Sequence, residues 1–480
     1  MRSTRAQQAQ FAAFPRGGRR ELSLLVVAAA LLLCAPAFAA RPAPHGALTA
    51  LSGRGACLGD RCALLRGFAR APRSSTASTT LTLALSASGR TVYATGGDPE
   101  AVAILARDPR TGALRQLSGK RGCVVARARD GCAVAPALAG RVATVAPDGA
   151  TISVAGYDHR FRTLTLRRDS RTGRVRAPAG GFRCRPAFDA GCFAPRGIGS
   201  PESVLTGDRA RTILTAYTAY VPKTVRGAGI AVTRREADGR LHQVRGTDGC
   251  ATSTGQDGCA KVPCMTEVAT AVATSRDGRY LYLAGGNADL ESTAGGYLAT
   301  FRRLSGGGLR PVGCVSTAGT GAAAGNVPIW LAALPHGHTV LELIVRGNRG
   351  DGIVYGRIYG STPAAGGALS APVRLSKDLN LTTAMSLALA PDGRTLYAAD
   401  DAGGGNLDVL RVSPSAAAPL AGRYGTPYVG GADSGSHDYV YGATDMLRSR
   451  DGRFVYLATG SVDATQDRTG PAIRVYRVAR

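Results

Sequence analysis

Short runs of apolar and β-branched residues, each broken by a glycine-bearing turn, recur along almost the whole chain, and almost no stretch carries apolar residues at helical spacing. The clearest copies are SRDGRYLYLAGG from Ser275, APDGRTLYAADD from Ala390 and SRDGRFVYLATG from Ser449. Weaker copies begin at Ser86, Ala146, Thr206 and Leu334. Their turn glycines fall at 89, 149, 278, 337, 393 and 452, with Ala210 in the remaining copy, so the period is close to sixty residues. Asp-Gly supports a positive φ between two strands, so each copy predicts a hairpin. Runs such as VAILARD from Val102, RTLTLRRD from Arg162 and IAVTRRE from Ile230 predict a third strand, and G-x-L segments such as Gly112–Leu114 a fourth. Four antiparallel strands repeated seven times predict an all-β, seven-bladed β-propeller.

The ends of the chain explain how such a ring closes. The last repeat ends after its third strand, IRVYRVAR from Ile473, and the missing fourth is found near the other terminus, where GALTALSG from Gly46 matches GALRQLSG from Gly112. Residues 46–52 are therefore expected to form the outer strand of the last blade. One domain is expected over 40–480. Residues 1–39 read as an export signal, with Arg16, Arg19 and Arg20 ahead of the apolar run 22–35 and Ala37-Phe38-Ala39 behind it. Localisation is expected to be secreted or envelope-associated, with no membrane span left after the signal is removed.

Eleven cysteines occur, ten of them after the signal, and an even number in an exported chain points to disulfides. Four close pairs follow outer strands: Cys57–Cys62, Cys123–Cys132, Cys184–Cys192 and Cys250–Cys259. Cys264 and Cys314 both belong at one face of the fourth blade, which predicts a fifth bridge. No C-x-x-C pair with matching ligands supports zinc, and neither a metal nor a cofactor is expected.

The net charge of +26 comes from 59 Lys and Arg against 33 Asp and Glu, nearly all of the excess being scattered arginine. With one tryptophan and no dense basic run, nucleic-acid binding is disfavoured; a basic excess favours anionic partners such as a wall polymer, but scattered arginine reads first as a base-composition habit. Polar residues on or just before the inner strands are the candidates for chemistry. Arg141, Glu202 and Glu267 form the candidate catalytic set, a carboxylate near an arginine being suited to acid–base work; mutual ion pairing is the competing reading. Asp445 and Trp330 are candidate ligand contacts, Trp330 serving either to stack on a sugar or to fill the core. Asp289 and Glu291, in a long loop, are further candidates to contact a ligand. His336 and His338 replace the Asp-Gly-Arg turn and read as turn residues.

The D-G-R-x-hydrophobic-Tyr hairpin, the R-D-x-x-T-G-x-L segment (Arg107–Leu114) and the glycine–cysteine loops together resemble exported members of the lactonase-like seven-bladed propeller superfamily. That superfamily includes 6-phosphogluconolactonase-type enzymes and surface proteins with Tyr-Val-Thr-Asn repeats. The resemblance spans nearly the whole chain after the signal and implies the propeller fold. It also implies hydrolysis of a sugar lactone, though no catalytic residue maps from a motif. The leading expectation is a binding protein for a carbohydrate, wall polymer or protein; the alternative is a secreted lactone hydrolase.

Overall fold

The computed structural model describes residues 45–53, 55–59, 62–68, 81–97, 100–136, 138, 142–145, 151–157, 161–169, 171–172, 175–176, 192–193, 196, 200–206, 212–220, 226–235, 241–266, 268–286, 296–317, 326–334, 340–347, 354–376, 384–400, 407–413, 416–419, 443–459 and 471–479. The expected export signal lies outside these residues. Among them no helix is long and apolar enough to cross a membrane.

The strands form an all-β propeller; among the described residues they make seven sheets, antiparallel except for two short parallel pairs, numbered from the N-terminal side by their inner strands. Those inner strands are Leu81–Leu85, Val142–Val145, Ser200–Thr206, Val268–Thr274, Asn326–Ala333, Ala384–Leu389 and Ala443–Arg448. In each sheet a second and a third strand follow in order, as in sheet 1 with Thr91–Gly97 and Glu100–Arg107. The hairpins are built as the repeat predicts. In sheet 4 the Ser275 N–H donates to the Tyr280 carbonyl (2.9 Å), Gly278 takes φ +69°, and the Asp277 carboxylate accepts the Arg279 N–H (3.0 Å). The same pattern returns in sheet 7 at Ser449, Asp451 and Gly452.

Sheets 4, 5 and 6 end in a simple fourth strand, but in sheets 1 and 3 the outer strand is interrupted. In sheet 1, Leu114–Gln116 pairs with one end of the third strand, the chain loops out, and Cys123–Val125 returns to pair with the other end. Sheet 3 repeats this with Leu241–Gln243 and Cys250–Thr252. Part of each cysteine loop is thus sheet, and the bridge fixes where the interrupted strand resumes.

The expected closure is present. Leu48–Ala50 pairs antiparallel with Ala472–Val478, Leu48 facing Val478, and Cys57–Gly59 extends the pairing along the same strand. Outside those ladders the Gly46 N–H donates to the Ala479 carbonyl (2.9 Å) and the Ala479 N–H to the Ala47 carbonyl (2.7 Å).

The middle strands are buried on both faces, Phe454–Thr459 along its whole length, with core clusters lying between adjacent sheets. One joins Leu81, Val92 and Leu105 of sheet 1 to Phe454, Tyr456 and Ile473 of sheet 7, together with Leu58 and Leu65. Another joins Tyr93 and Ile104 of sheet 1 to Ile152 and Leu164 of sheet 2. Bridges Cys57–Cys62, Cys123–Cys132, Cys250–Cys259 and Cys264–Cys314 are formed, with Cα separations of 5.4, 4.9, 4.8 and 6.3 Å. These lie within the range a disulfide spans. Cys184 is outside the described residues, so its expected pairing with Cys192 is too.

Candidate functional site on the inner strands

Five of the inner strands are interrupted at one position, where a β-bulge sets a single residue out of register. The residues so placed are Glu202, Thr270, Ile329, Met385 and Thr444. A bulge bends its strand and re-aims the side chain, a common device beside functional sites. The candidate Glu202 sits at this position in sheet 3, while Trp330 and Asp445 each follow a bulge directly, so the structure places these three at one level. Arg141, Glu267, Asp289 and Glu291 lie outside the described residues.

In sheet 7 the bulge grips the neighbouring sheet. The Thr444 Oγ1 accepts the Leu81 N–H (3.1 Å) and donates to the Leu81 carbonyl (2.7 Å). Asp445 Oδ2 accepts the Leu83 N–H (2.6 Å) and its Oδ1 accepts the Met446 N–H (2.8 Å). Two residues of one inner strand thereby satisfy backbone groups on the facing edge of the next, groups that are costly to leave unpaired when buried. Burial pushes the Asp445 carboxyl up to about 6, against the two N–H donors, which favour its ionised form. A carboxyl titrating there suits proton transfer near neutrality, yet both of its oxygens are engaged, Oδ2 joining sheet 7 to sheet 1 and Oδ1 held by its own strand.

Trp330 is half-buried and packs against the cluster of Leu334, Leu341 and Leu387 between sheets 5 and 6, so core packing accounts for most of its surface. Among the described residues no group of three His, Cys, Asp or Glu side chains is placed to hold a metal ion.

The sequence gives no warning of a second constellation, on the hairpin side. Arg107 closes the third strand of sheet 1, where it is 7% exposed and enters the junction with sheet 7. Its Nε donates to the Tyr456 hydroxyl, its Nη1 to the Gly89 carbonyl (2.9 Å), and its Nη2 lies 3.7 Å from Asp451 Oδ1. The guanidinium also stands 5.4 Å from the Phe454 ring centre. Arg168 repeats the arrangement between sheets 2 and 1, donating to the Tyr93 hydroxyl and to Thr91 Oγ1 (3.3 Å). The motifs that supply these arginines and tyrosines are visible in the sequence, but only as blade-building residues.

No family model matches the chain, and no curated protein does. Among solved structures, a periplasmic gluconolactonase of Pseudomonas aeruginosa is similar at 15% identity over 70% of this chain and 83% of its own, with a TM-score of 0.48. A putative 6-phosphogluconolactonase of Bacteroides uniformis gives 14% identity, 80% and 89% coverage and 0.43. The Dos1 propeller gives 11%, 83% and 78%, and 0.45. At these identities and scores the likeness assigns no activity.

Proposed function

We propose that this chain is an exported, seven-bladed propeller that binds a carbohydrate, wall polymer or protein partner through the inner-strand face. The blade count is supported by the neighbours of the inner strands. Leu81–Leu85 lies beside Val142–Val145 on one side and Ala443–Arg448 on the other, and each remaining inner strand lies beside those of the sheets before and after it. Export is supported by four bridges in a chain of this kind.

The observation that carries the binding reading is Asp445. The candidate acid whose side chain is described is tied through both oxygens to backbone N–H groups, as part of the scaffold. The rival reading, a secreted lactone hydrolase, draws on Glu202, whose bulged position is one that re-aims a side chain. One experiment separates them. Ring opening is assayed on a panel of sugar lactones with wild type, Glu202→Gln and Glu267→Gln, and retention on cell-wall fractions and on candidate protein partners is measured alongside. Retention without turnover is the expected outcome. Turnover abolished by either substitution would establish the hydrolase instead.

A further inference from the structure

Sheets 4 and 5 meet around a cavity of about 730 Å³ on the hairpin side, and its walls repeat the junction of sheets 7 and 1 with one piece missing. In the complete junction Arg107 is received by Tyr456 and Asp451 and stands near the ring of Phe454. Each residue of that receiving wall has a counterpart three repeats earlier, in register: Tyr282 for Tyr456, Asp277 for Asp451 and Tyr280 for Phe454. Even the packing of the far wall is copied. Gly112 lies so close to Phe454 that an added Cβ would fall 2.3 Å from the ring, and Gly367 lies the same way on Tyr280, at 2.1 Å.

The inserted side chain is what differs. Arg107 holds the position whose N–H reaches the carbonyl of the residue after the turn glycine, as Arg303, Val412 and Val478 do in sheets 4, 6 and 7. In sheets 6 and 7 the valines fill the junction: Val412 packs with Leu341, and Val478 with Tyr397. Continuing the pairing of Val340 with Ser361 in sheet 5 brings this position to Pro363, which lines the cavity and carries no cation. Among the described residues the Tyr282 hydroxyl makes no hydrogen bond; its counterparts Tyr93 and Tyr456 each receive an arginine, while Tyr397, opposite Val478, receives none. Burial, with Asp277 and Tyr280 adding, pushes that hydroxyl up to about 12. Arg279 pairs with Asp277 (2.8 Å) but is largely exposed; it corresponds to Arg453, which lies over Phe454 while Arg107 occupies the same junction.

We propose that the cavity between sheets 4 and 5 is a receptor for the guanidinium of an arginine side chain carried by another polypeptide, which takes the place that Arg107 and Arg168 take within the chain. Tyr282 accepts from the guanidinium, Asp277 supplies the opposite charge, and the Tyr280 ring offers a stacking face. The site lies apart from the inner-strand candidates and does not depend on the function proposed for them.

The probe is N-acetyl-arginine methylamide, titrated calorimetrically against the intact, oxidised chain. A dissociation constant on the order of 1 mM is expected for a single side chain of this size. The citrulline analogue, neutral and of nearly the same shape, should bind at least about tenfold more weakly, because hydrogen bonds to a charged group are the stronger ones. Pro363→Arg should fill the cavity from within and abolish binding. Tyr282→Phe should weaken it about tenfold, and it keeps the test decisive if Pro363→Arg does not fold. Equal binding of the two probes, binding untouched by both substitutions, or no saturable binding would each overturn the assignment. Sedimentation with and without the probe identifies the source of the side chain: a dimer that the probe dissociates makes it a second copy of this chain, and a monomer throughout makes it a foreign polypeptide.

Discussion

Replacing Leu58 by alanine tests whether the closure of the ring carries its stability. Leu58 is 4% exposed on the segment Cys57–Gly59, which pairs with Ala472–Val478, and its side chain belongs to the cluster between sheets 1 and 7. The substitution removes three carbons, worth about 0.8 kcal/mol each in transfer, and leaves a cavity that a β-rich junction closes poorly. The expected loss is about 3 kcal/mol. With a urea m-value of about 3 kcal/mol per molar, suited to a large domain, the midpoint falls by about 1 M. Trp330 is the only tryptophan and lies in sheet 5, so its fluorescence reports on the ring far from the clasp. Leu64→Ala, at a side chain 73% exposed, is the matched control, with an expected effect of about 0.5 kcal/mol or less. A Trp330 midpoint for Leu58→Ala that coincides with the control would refute the idea that the termini hold the ring together.

Three further outcomes follow from the same structure. Gly112→Ala places a Cβ against the Phe454 ring at a φ of +78°, and a loss of about 2 kcal/mol or more is expected by thermal unfolding, with Gly119→Ala, where nothing lies within 4 Å, separating backbone strain from the clash. The Asp445 carboxyl is raised to about 6 in the folded chain, so the folded state holds the extra proton between pH 4 and 6 and stability declines as pH rises through that window. Asp445→Asn should flatten that decline in a series of melting curves, while the loss below pH 4 persists, since Asp108 and Asp169 are held below the usual range by backbone N–H bonds from Arg110 and Thr172. Finally, the Cys264–Cys314 bridge spans 50 residues and Cys57–Cys62 only 5, which in a chain-entropy account is worth about 4 against about 2 kcal/mol. Serine pairs at each bridge, compared by denaturant midpoints, should differ accordingly.

The architecture was legible because it is periodic. A turn glycine every sixty residues marks the hairpins, and the match of Gly46–Gly53 to Gly112–Gly119 identifies the closing strand before any coordinates are seen. The Cys264–Cys314 bridge was legible for the same reason, as the two cysteines left over once the local pairs are taken. The site was much less so. Asp445 reads in sequence as an isolated carboxylate amid small residues; that it serves Leu83 depends on two inner strands some 360 residues apart in the chain. The bulges are invisible as well, since they arise from how inner strands fit around an axis rather than from any residue type. Tyr282 and Tyr456 look identical in their hairpins. The residue across the junction, Pro363 or Arg107, separates the cavity from the filled junction, and it lies in another blade.

Because Leu48 and Val478 are hydrogen-bonded neighbours, the earliest-made strand of the propeller has no partner until the latest-made one appears. At ribosomal speeds of about 5–20 residues per second, that interval is roughly 20–90 s. Throughout it, the open edge of the final sheet offers any interrupted or shortened product as a target for proteases and chaperones.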